Sequence, residues 1–243
     1  MRKIKFEKGQ ICHIFNRGIE KRSIFMNDAD KWRFLQMLYL INNSNFSFGV
    51  LYEIERKNKG RINFNLLQEF VNQNKNIINR EPLVRIMADC LMPNHFHLLL
   101  QEIQEGGISE FMQRFGTGYT KYFNAKYDRV GEGGLFQGPY KVTIIKNDIQ
   151  LQYVLAYINV INPGQLVEPN LKEEGPKDID NILNFAENYS FSTNPEYLGL
   201  RESIIIDKGI FKDFFPTPEK YEEFIRDVLE SKRYNQVSNL TLE

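Results

Sequence analysis

Apolar residues along the chain fall into short runs with two different periods. Residues 11–16, with the sequence ICHIFN, are rich in β-branched and aromatic side chains, which is typical of a strand. After the pair Asn27-Asp28, which can cap a helix, apolar residues recur three and four positions apart over 28–42. The pattern therefore predicts a first strand followed by a helix.

An insert separates this pair from the next elements. Residues 43–82 are rich in Asn and Lys and hold one apolar cluster, at 64–71, which predicts a single short helix. Two apolar runs follow, at 83–92 and 95–102, and are joined by Pro93-Asn94. Two such runs joined by a turn pair predict adjacent antiparallel strands.

Three further elements follow the paired strands. Aromatic residues spaced three and four apart predict a helix over about 108–127. Residues 135–145 predict a fourth strand, which bends at Gly138-Pro139. A last helix over about 148–161 is expected to stop at Pro163, because proline lacks the N–H that would continue it.

The order of these elements predicts the fold. Strand, helix, strand, strand, helix, strand, helix is the order of a βαββαβ unit with one extra helix. It predicts an α+β protein with a ferredoxin-like split fold and an antiparallel sheet. We expect residues 1–163 to form this domain and residues 164–243 to form a mostly helical appendage, with helices near 179–188 and 218–232.

Charge and composition narrow the class of protein. The 31 basic and 31 acidic side chains cancel, but residues 1–25 are basic and 164–187 are acidic, so the local field still allows a polyanionic partner. Two solvated surfaces without a partner are the alternative. Cys12 and Cys90 are predicted to be buried free thiols, since two cysteines cannot build a disulfide framework. Because no apolar run approaches a membrane span or a signal-peptide core, we expect a cytoplasmic protein.

The histidines form the first candidate site. Of three in the chain, two stand in His95-Phe96-His97, and the two-residue period of a strand puts both imidazoles on one face. The run Leu98–Leu100 marks a strand buried on both faces, where two imidazoles need partners or a metal; two polar rings on an exposed face are the alternative. With only His13 left over, an oxygen ligand would complete the site, which favours Mg²⁺ or Mn²⁺.

A metal ion with two imidazole ligands and open positions can act as a Lewis acid on a phosphodiester. Cleavage of that phosphodiester then needs a nucleophile. So few histidines do not allow a Ser-His-Asp arrangement. We expect His13 to be a core or surface residue, with a place beside the pair in the sheet as the alternative. Among twelve tyrosines, Tyr153 and Tyr157 stand out, because they lie four residues apart on the helix before Asn162-Pro163.

Four blocks of sequence carry a family resemblance, and a fifth accompanies them. The four are MPNHFHLLL (92–100), YTKYFNAKY (119–127), GLFQGPYK (134–141) and YINVINP (157–163), and the fifth is HIFNRGIEKRSIF (13–25). In this order they resemble the single-tyrosine HUH transposases, and more narrowly the repeat-associated (REP-associated) tyrosine transposases and insertion-sequence-200-like proteins. The resemblance covers about residues 10–163.

The resemblance implies a metal-dependent enzyme that cleaves single-stranded or hairpin DNA and transfers the strand. His95 and His97 match the metal ligands, and Tyr157 matches the nucleophile, with Tyr153 as the second choice. Attack by the tyrosine would give a 5′-phosphotyrosine bond and a free 3′-hydroxyl. Homodimers are usual in the family.

One position departs from the family. Related chains place a Gln or Asn four residues after the nucleophile as third metal ligand, but Ile161 stands there in this chain. Asn162, five residues after Tyr157, would be rotated by about 140° from it on a regular helix. We expect Pro163 to disfavour the α conformation at Asn162, so that the helix unwinds and the carboxamide swings back as a ligand; otherwise the site is impaired.

DNA contacts are expected from basic and aromatic side chains. The candidates for pairing with phosphates are Arg17, Lys21 and Arg22 after the first strand, Arg114 and Lys121 on the second helix, and Lys141 on the fourth strand. Phe136 and Tyr140 are candidates for stacking on bases. The alternative for each is a solvated charge or a core ring.

Three functions remain open from the sequence. The first is an active metal-dependent strand transferase. The second is a DNA-binding protein, derived from a transposase, in which the displaced Asn162 has impaired cleavage. The third is a metal-dependent phosphodiesterase that uses water as the nucleophile.

Overall fold

The computed structural model describes residues 5–45, 56, 69, 80–129 and 133–231. Apart from residue 69, the helix predicted at 64–71 falls outside these ranges. Within them, no helix is both long enough and apolar enough to cross a membrane.

A four-stranded antiparallel sheet forms the centre of the described fold. Its strands are β1 (Ile11–Arg17), β2 (Val84–Met92), β3 (His95–Glu102) and β4 (Lys141–Ile144), in the order β2-β3-β1-β4. The strands β2 and β3 form a hairpin, whereas helices lie between β1 and β2 and between β3 and β4 in the chain, as in a βαββαβ unit. The predicted ferredoxin-like split fold is therefore confirmed.

Side chains of the sheet alternate between two cores, one on each face. In β3, Phe96 and Leu98 belong to the first core, whereas Leu99 belongs to the second. The helices α1 (Asp28–Ile41) and α2 (Gly107–Lys126) cover the first face, since their buried apolar side chains belong to the first core. The second face carries the last helix of the domain.

That last helix is a continuous run of three parts. It starts as α3 (Asp148–Ala156), continues as a π-helical turn (Tyr157–Ile161) and ends as a short α segment (Asn162–Gly164). The side chain of Asn147 caps the start of α3 by accepting a hydrogen bond from the backbone N–H of Gln150 at 2.8 Å.

The expectation that the helix stops at Pro163 and unwinds at Asn162 is wrong. Asn162 is α-helical, with φ −60° and ψ −57°, and Pro163 lies inside the run. A π-turn joins residues five apart instead of four, so it widens the helix just ahead of the proline, whose ring would clash with a regular preceding turn. The predicted division of the chain after residue 163 falls within this run, and it stays a prediction.

The fourth strand is shorter than the predicted 135–145. Gly138 has a φ of +77° and Pro139 has no N–H, so a regular ladder cannot run through them. Phe136 makes an isolated bridge to the loop after β1, and regular pairing with β1 begins only at Lys141.

The appendage packs on the same face as α3. Its helical elements are α4 (Leu171–Glu174), α5 (Ile179–Asn188), α6 (Asn194–Tyr197), α7 (Phe211–Phe214) and α8 (Pro218–Glu230). The helices predicted near 179–188 and 218–232 are confirmed as α5 and α8. Apolar side chains of both helices share the second core with α3 and β2, so the appendage is packed against the helix that carries Tyr157.

Candidate active site

Three histidines meet on the second face of the sheet. Because β1 and β3 pair with Phe15 opposite His97, His13 lies diagonally next to His97. The ring centroids are 5.0 Å apart for His13 and His97, and 5.1 Å apart for His95 and His97. His13 and His97 are fully buried and His95 is half-buried. The two rings of the HxH pair thus lie side by side, as the strand period predicts.

Hydrogen bonds hold one nitrogen of each HxH imidazole. Nδ1 of His95 lies 2.6 Å from Oδ1 of Asn94, and Nδ1 of His97 lies 2.8 Å from Nε2 of His13. Imidazoles that bind a metal are commonly held in this way at the nitrogen that does not face the ion. The Nε2 atoms of His95 and His97 are therefore the ring nitrogens suited to a metal, and the donor chemistry fits a divalent ion.

An oxygen donor would have to complete such a set. Across the ranges that the structure describes, no group of three or more His, Cys, Asp or Glu side chains is arranged to hold a metal ion. The ligand set predicted from the sequence is different, because it combines the two imidazoles of His95 and His97 with the carboxamide oxygen of Asn162.

Tyr157 is the candidate tyrosine that packs against the histidines. Its ring lies edge-on to His97 with centroids 5.4 Å apart, and edge-on to His13 at 6.1 Å. Tyr153, one turn earlier, packs against Phe224 of α8 at 6.1 Å. Of the two candidates, Tyr157 is thus beside the imidazoles, and Tyr153 is a packing residue between α3 and the appendage.

The appendage covers Tyr157. The side chain is fully buried, and Nζ of Lys172 in α4 lies 5.5 Å from the centre of its ring. Nothing in the sequence pattern predicts Lys172 at this place. A phosphate can reach the phenol only after the residues above it have moved.

The π-turn compensates for the extra residue between Tyr157 and Asn162. The backbone N–H of Asn162 donates to the carbonyl of Tyr157, five residues earlier. In a regular helix this bond joins residues four apart, so the wider turn places Asn162 about one turn after Tyr157. The rotation of about 140° that a regular helix would impose is therefore largely removed.

The carboxamide of Asn162 is buried and only partly satisfied. Its Oδ1 accepts a hydrogen bond from Nε2 of Gln165 at 3.3 Å, and its Nδ2 is a buried atom with no hydrogen bond to any residue that the structure describes. A half-turn of the amide exchanges the two atoms. The position without a partner therefore also suits an oxygen that binds an ion.

Two of the predicted phosphate ligands lie beside the histidines. Arg17 is opposite His95 in the β1–β3 pairing, and its Nε donates to Oε1 of Gln137 at 2.8 Å. Lys141 is opposite Phe15 in the β1–β4 pairing, and its Nζ lies 5.6 Å from the centre of that ring. Both residues therefore border the end of the sheet where the HxH pair lies.

Lys21 and Arg22 lie in the loop that follows β1, and both are exposed. Nδ2 of Asn94 donates to the backbone oxygen of Lys21 at 3.1 Å. Because Asn94 also bonds to His95, this loop is attached to the turn that precedes the histidine pair.

The two basic residues of α2 lie on the other helical layer. Because α2 packs on the first core, Arg114 and Lys121 are separated by the sheet from Tyr157. Arg114 donates to the backbone oxygen of Asn43 at 2.7 Å and pairs with Glu110, which gives it a structural role. Contact of these two residues with DNA stays a prediction.

The two aromatic residues predicted to stack on bases also pack on the first core. The ring of Phe136 lies 5.8 Å from that of Phe96, and both Phe136 and Tyr140 are half-buried. Burial raises the pKa of Tyr140. This placement supports the alternative of a packing role for both.

One protein-family model matches part of the chain. Residues 54–160 match the family described as "Transposase IS200 like". The match covers 107 of the 243 residues, and it agrees with the family resemblance that the sequence blocks carry.

The chain was also compared with solved structures and with curated protein sequences. One similar solved structure is "Structure of the REP associates tyrosine transposase bound to a REP hairpin", at 14% identity and a TM-score of 0.41, over 83% of this chain and 87% of that one. A similarity of this degree adds no argument about function. No curated protein sequence matches the chain.

Proposed function

We propose that this protein cleaves single-stranded or hairpin DNA and transfers the cut strand, with Tyr157 as the nucleophile. The observation that carries the proposal is the contact of the Tyr157 ring with two buried imidazoles, at 5.4 Å from His97 and 6.1 Å from His13. The proposal names the residue that would carry out the DNA cleavage expected of a transposase. Action on DNA at the nucleoid, and a homodimer, are further parts of the proposal.

In the proposed step, the phenol oxygen of Tyr157 forms a bond to the phosphorus of a DNA phosphodiester, and the bond from phosphorus to the 3′-oxygen breaks. The phenol loses its proton, and the departing oxygen gains one and becomes a free 3′-hydroxyl. The phosphate stays bonded to the 5′-oxygen of the strand on the 3′ side of the cut, so that this strand is linked to the protein as a 5′-phosphotyrosine. Attack by another 3′-hydroxyl reverses the step and joins a new strand.

The surrounding residues hold the reacting groups. His95 and His97 would bind a divalent ion through Nε2, with Asn162 as the proposed third ligand. When bound, Mg²⁺ or Mn²⁺ supplies Lewis-acid polarisation of the phosphate. Arg17 and Lys141, which border the histidines, are proposed to pair with the flanking phosphates and so fix the strand.

The test is the formation of a covalent adduct. The full chain is incubated with Mn²⁺ and a pool of 3′-labelled single-stranded oligonucleotides that form hairpins, and label that stays with the protein on a denaturing gel is measured. We expect an adduct with the wild-type protein and with the matched control Tyr153→Phe, and none with Tyr157→Phe. An undiminished adduct with Tyr157→Phe rules out Tyr157, and cut DNA with free ends in every variant supports attack by water.

A histidine variant separates binding from cleavage. His97→Ala is expected to abolish the adduct and to keep most of the affinity for DNA, because contacts with phosphates supply that affinity. If a folded His97→Ala protein loses its affinity as well, the proposed division between the metal site and the phosphate contacts is wrong.

One observation favours a second candidate function, DNA binding without cleavage. Tyr157 is fully buried, so its hydroxyl is not presented to solvent. If this second function holds, the wild-type protein shifts the same oligonucleotides in a native gel and leaves them uncut.

A further inference from the structure

The centre of the π-turn is bonded to the appendage. Asn159 is the middle residue of the turn Tyr157–Ile161, and its side chain is fully buried. Both the nitrogen and the oxygen of its carboxamide make hydrogen bonds. Nδ2 donates to the hydroxyl of Tyr221 at 2.9 Å, and Oδ1 accepts from the hydroxyl of Thr193 at 2.6 Å. Both partners belong to the appendage, on α8 and just before α6.

The two partners are themselves fixed by other elements. The hydroxyl of Tyr221 donates to Oδ1 of Asn194 at 2.8 Å. The backbone N–H of Asp89 in β2 donates to the hydroxyl oxygen of Thr193 at 3.2 Å, and the backbone N–H of Thr193 donates back to the carbonyl of Asp89 at 3.1 Å. The carboxamide thus connects the turn to the sheet and to α8 through a buried network, whose members strengthen one another.

A π-turn needs such support. It is rare compared with the α-helix and occurs mostly as a single turn, often where a function depends on it. Here the turn determines where Asn162 lies relative to Tyr157. Hydrogen bonds to its middle residue from outside the helix would stabilise the wide turn against relaxation to a regular helix, in which Asn162 would be rotated by about 140° from Tyr157.

We propose that Asn159 is a positioning residue, and that the appendage serves the reaction by holding the π-turn through Thr193 and Tyr221. The catalytic part of this inference rests on the proposed function of Tyr157. The holding of the turn does not, because it concerns the structure of the protein without DNA.

The first measurement is amide hydrogen exchange over residues 157–162. Tyr221→Phe removes the hydroxyl that accepts from Asn159 and keeps the ring. The matched control is Tyr197→Phe, which removes another buried hydroxyl of the appendage, one that donates to the backbone oxygen of Met87 at 3.0 Å. We expect exchange in the turn to be about tenfold faster in Tyr221→Phe than in Tyr197→Phe, the size of effect that a lost buried hydrogen bond produces.

The second measurement is the rate of adduct formation at saturating DNA. Tyr221→Phe and Thr193→Val are expected to lower this rate by about tenfold with little change in DNA affinity, since each loses one bond to the carboxamide. Thr193→Ser keeps the hydroxyl and is therefore expected to form the adduct at close to the wild-type rate. The control Tyr197→Phe is also expected to keep the wild-type rate.

The outcomes separate the two claims. Equal exchange in Tyr221→Phe and Tyr197→Phe overturns the inference, whatever the activity. Faster exchange with an unchanged rate of adduct formation overturns the positioning role of Asn159. If the wild-type protein forms no adduct, the proposed function fails, and the exchange experiment still decides whether the appendage holds the turn.

Discussion

Nε2 of His13 lies 2.8 Å from Nδ1 of His97, although 84 residues separate them in the chain. Both side chains are fully buried, and their rings are nearly parallel, with an interplanar angle of 17°. This contact fixes the orientation of the His97 ring, and the proposed metal site would use the other nitrogen, Nε2. His13 is therefore part of the candidate site as a neighbour that orients a proposed ligand.

Replacement of His13 tests this role. His13→Ala is expected to weaken binding of Mn²⁺ by about 10- to 100-fold, the usual effect of losing a group that holds a metal-binding imidazole. Isothermal titration with Mn²⁺ measures the affinity. Ile14→Ala, one residue along β1 and on the other face of the sheet, is the control for loss of a buried side chain, and a folded His13→Ala protein with wild-type Mn²⁺ affinity contradicts the role.

Gly18 is required by the close approach of the loop after β1. A Cβ atom at this position would lie 2.2 Å from the backbone oxygen of Arg22, which cannot move without shifting the loop. Gly18→Ala is therefore expected to destabilise the protein by about 1–3 kcal/mol, as overpacking generally does. Urea unfolding measures the loss, and Gly116→Ala in α2, where a Cβ meets nothing within 4 Å, is the control that should not lose stability.

The buried carboxyl group of Asp89 predicts a dependence of stability on pH. Burial raises its pKa to about 7, the charge of Glu196 adds to the rise, and Arg201 opposes it. Because the folded protein then binds a proton that the unfolded chain releases at lower pH, this contribution to stability is complete below about pH 4 and is lost as the pH rises through 7. Its upper bound is about 4 kcal/mol, and Asp89→Asn should remove the slope in urea unfolding between about pH 4 and 7.

Asp207 is a control, because its effect on stability should depend on pH in the opposite direction. Burial alone would raise its pKa, but hydrogen bonds from the backbone N–H of Gly209 and from Arg85 outweigh it, and the pKa is lowered. Its contribution is present above the unfolded pKa and is lost in acid. Asp207→Asn should therefore cost stability at neutral pH and not at low pH; the same sign for both variants contradicts the assignment.

The two sets of predicted phosphate ligands can be distinguished by salt dependence. Lys141 borders the histidines, whereas Lys121 lies on the opposite layer. Lys141→Ala is expected to weaken binding of single-stranded DNA and to lower the slope of log affinity against log salt by about 1, the value for one lost phosphate contact. If Lys121→Ala changes the slope and Lys141→Ala does not, the DNA follows the α2 side of the protein.

Much of this architecture could be predicted from local pattern. The period-two run from His95 to Leu100 correctly predicts a strand with both imidazoles on one face, and the aromatic spacing over 108–127 correctly predicts α2. Such patterns are reliable because the repeat of a strand or a helix is a property of neighbouring residues. The expectation at Pro163 failed because the proline rule applies to a regular helix, whereas a π-turn precedes the proline here.

The sequence by itself determined the order of the elements and the placement of the HxH pair on one strand face. It also carries the family resemblance, through blocks of residues close together in the chain. Only the tertiary structure decided that His13 contacts His97, that Tyr157 and not Tyr153 packs against the imidazoles, and that a π-turn bonded to Thr193 and Tyr221 lies between Tyr157 and Asn162. The physical reason is that these relations are hydrogen bonds and packing contacts between residues far apart in the chain. No local period encodes them, because they form only when the sheet and the appendage enclose α3.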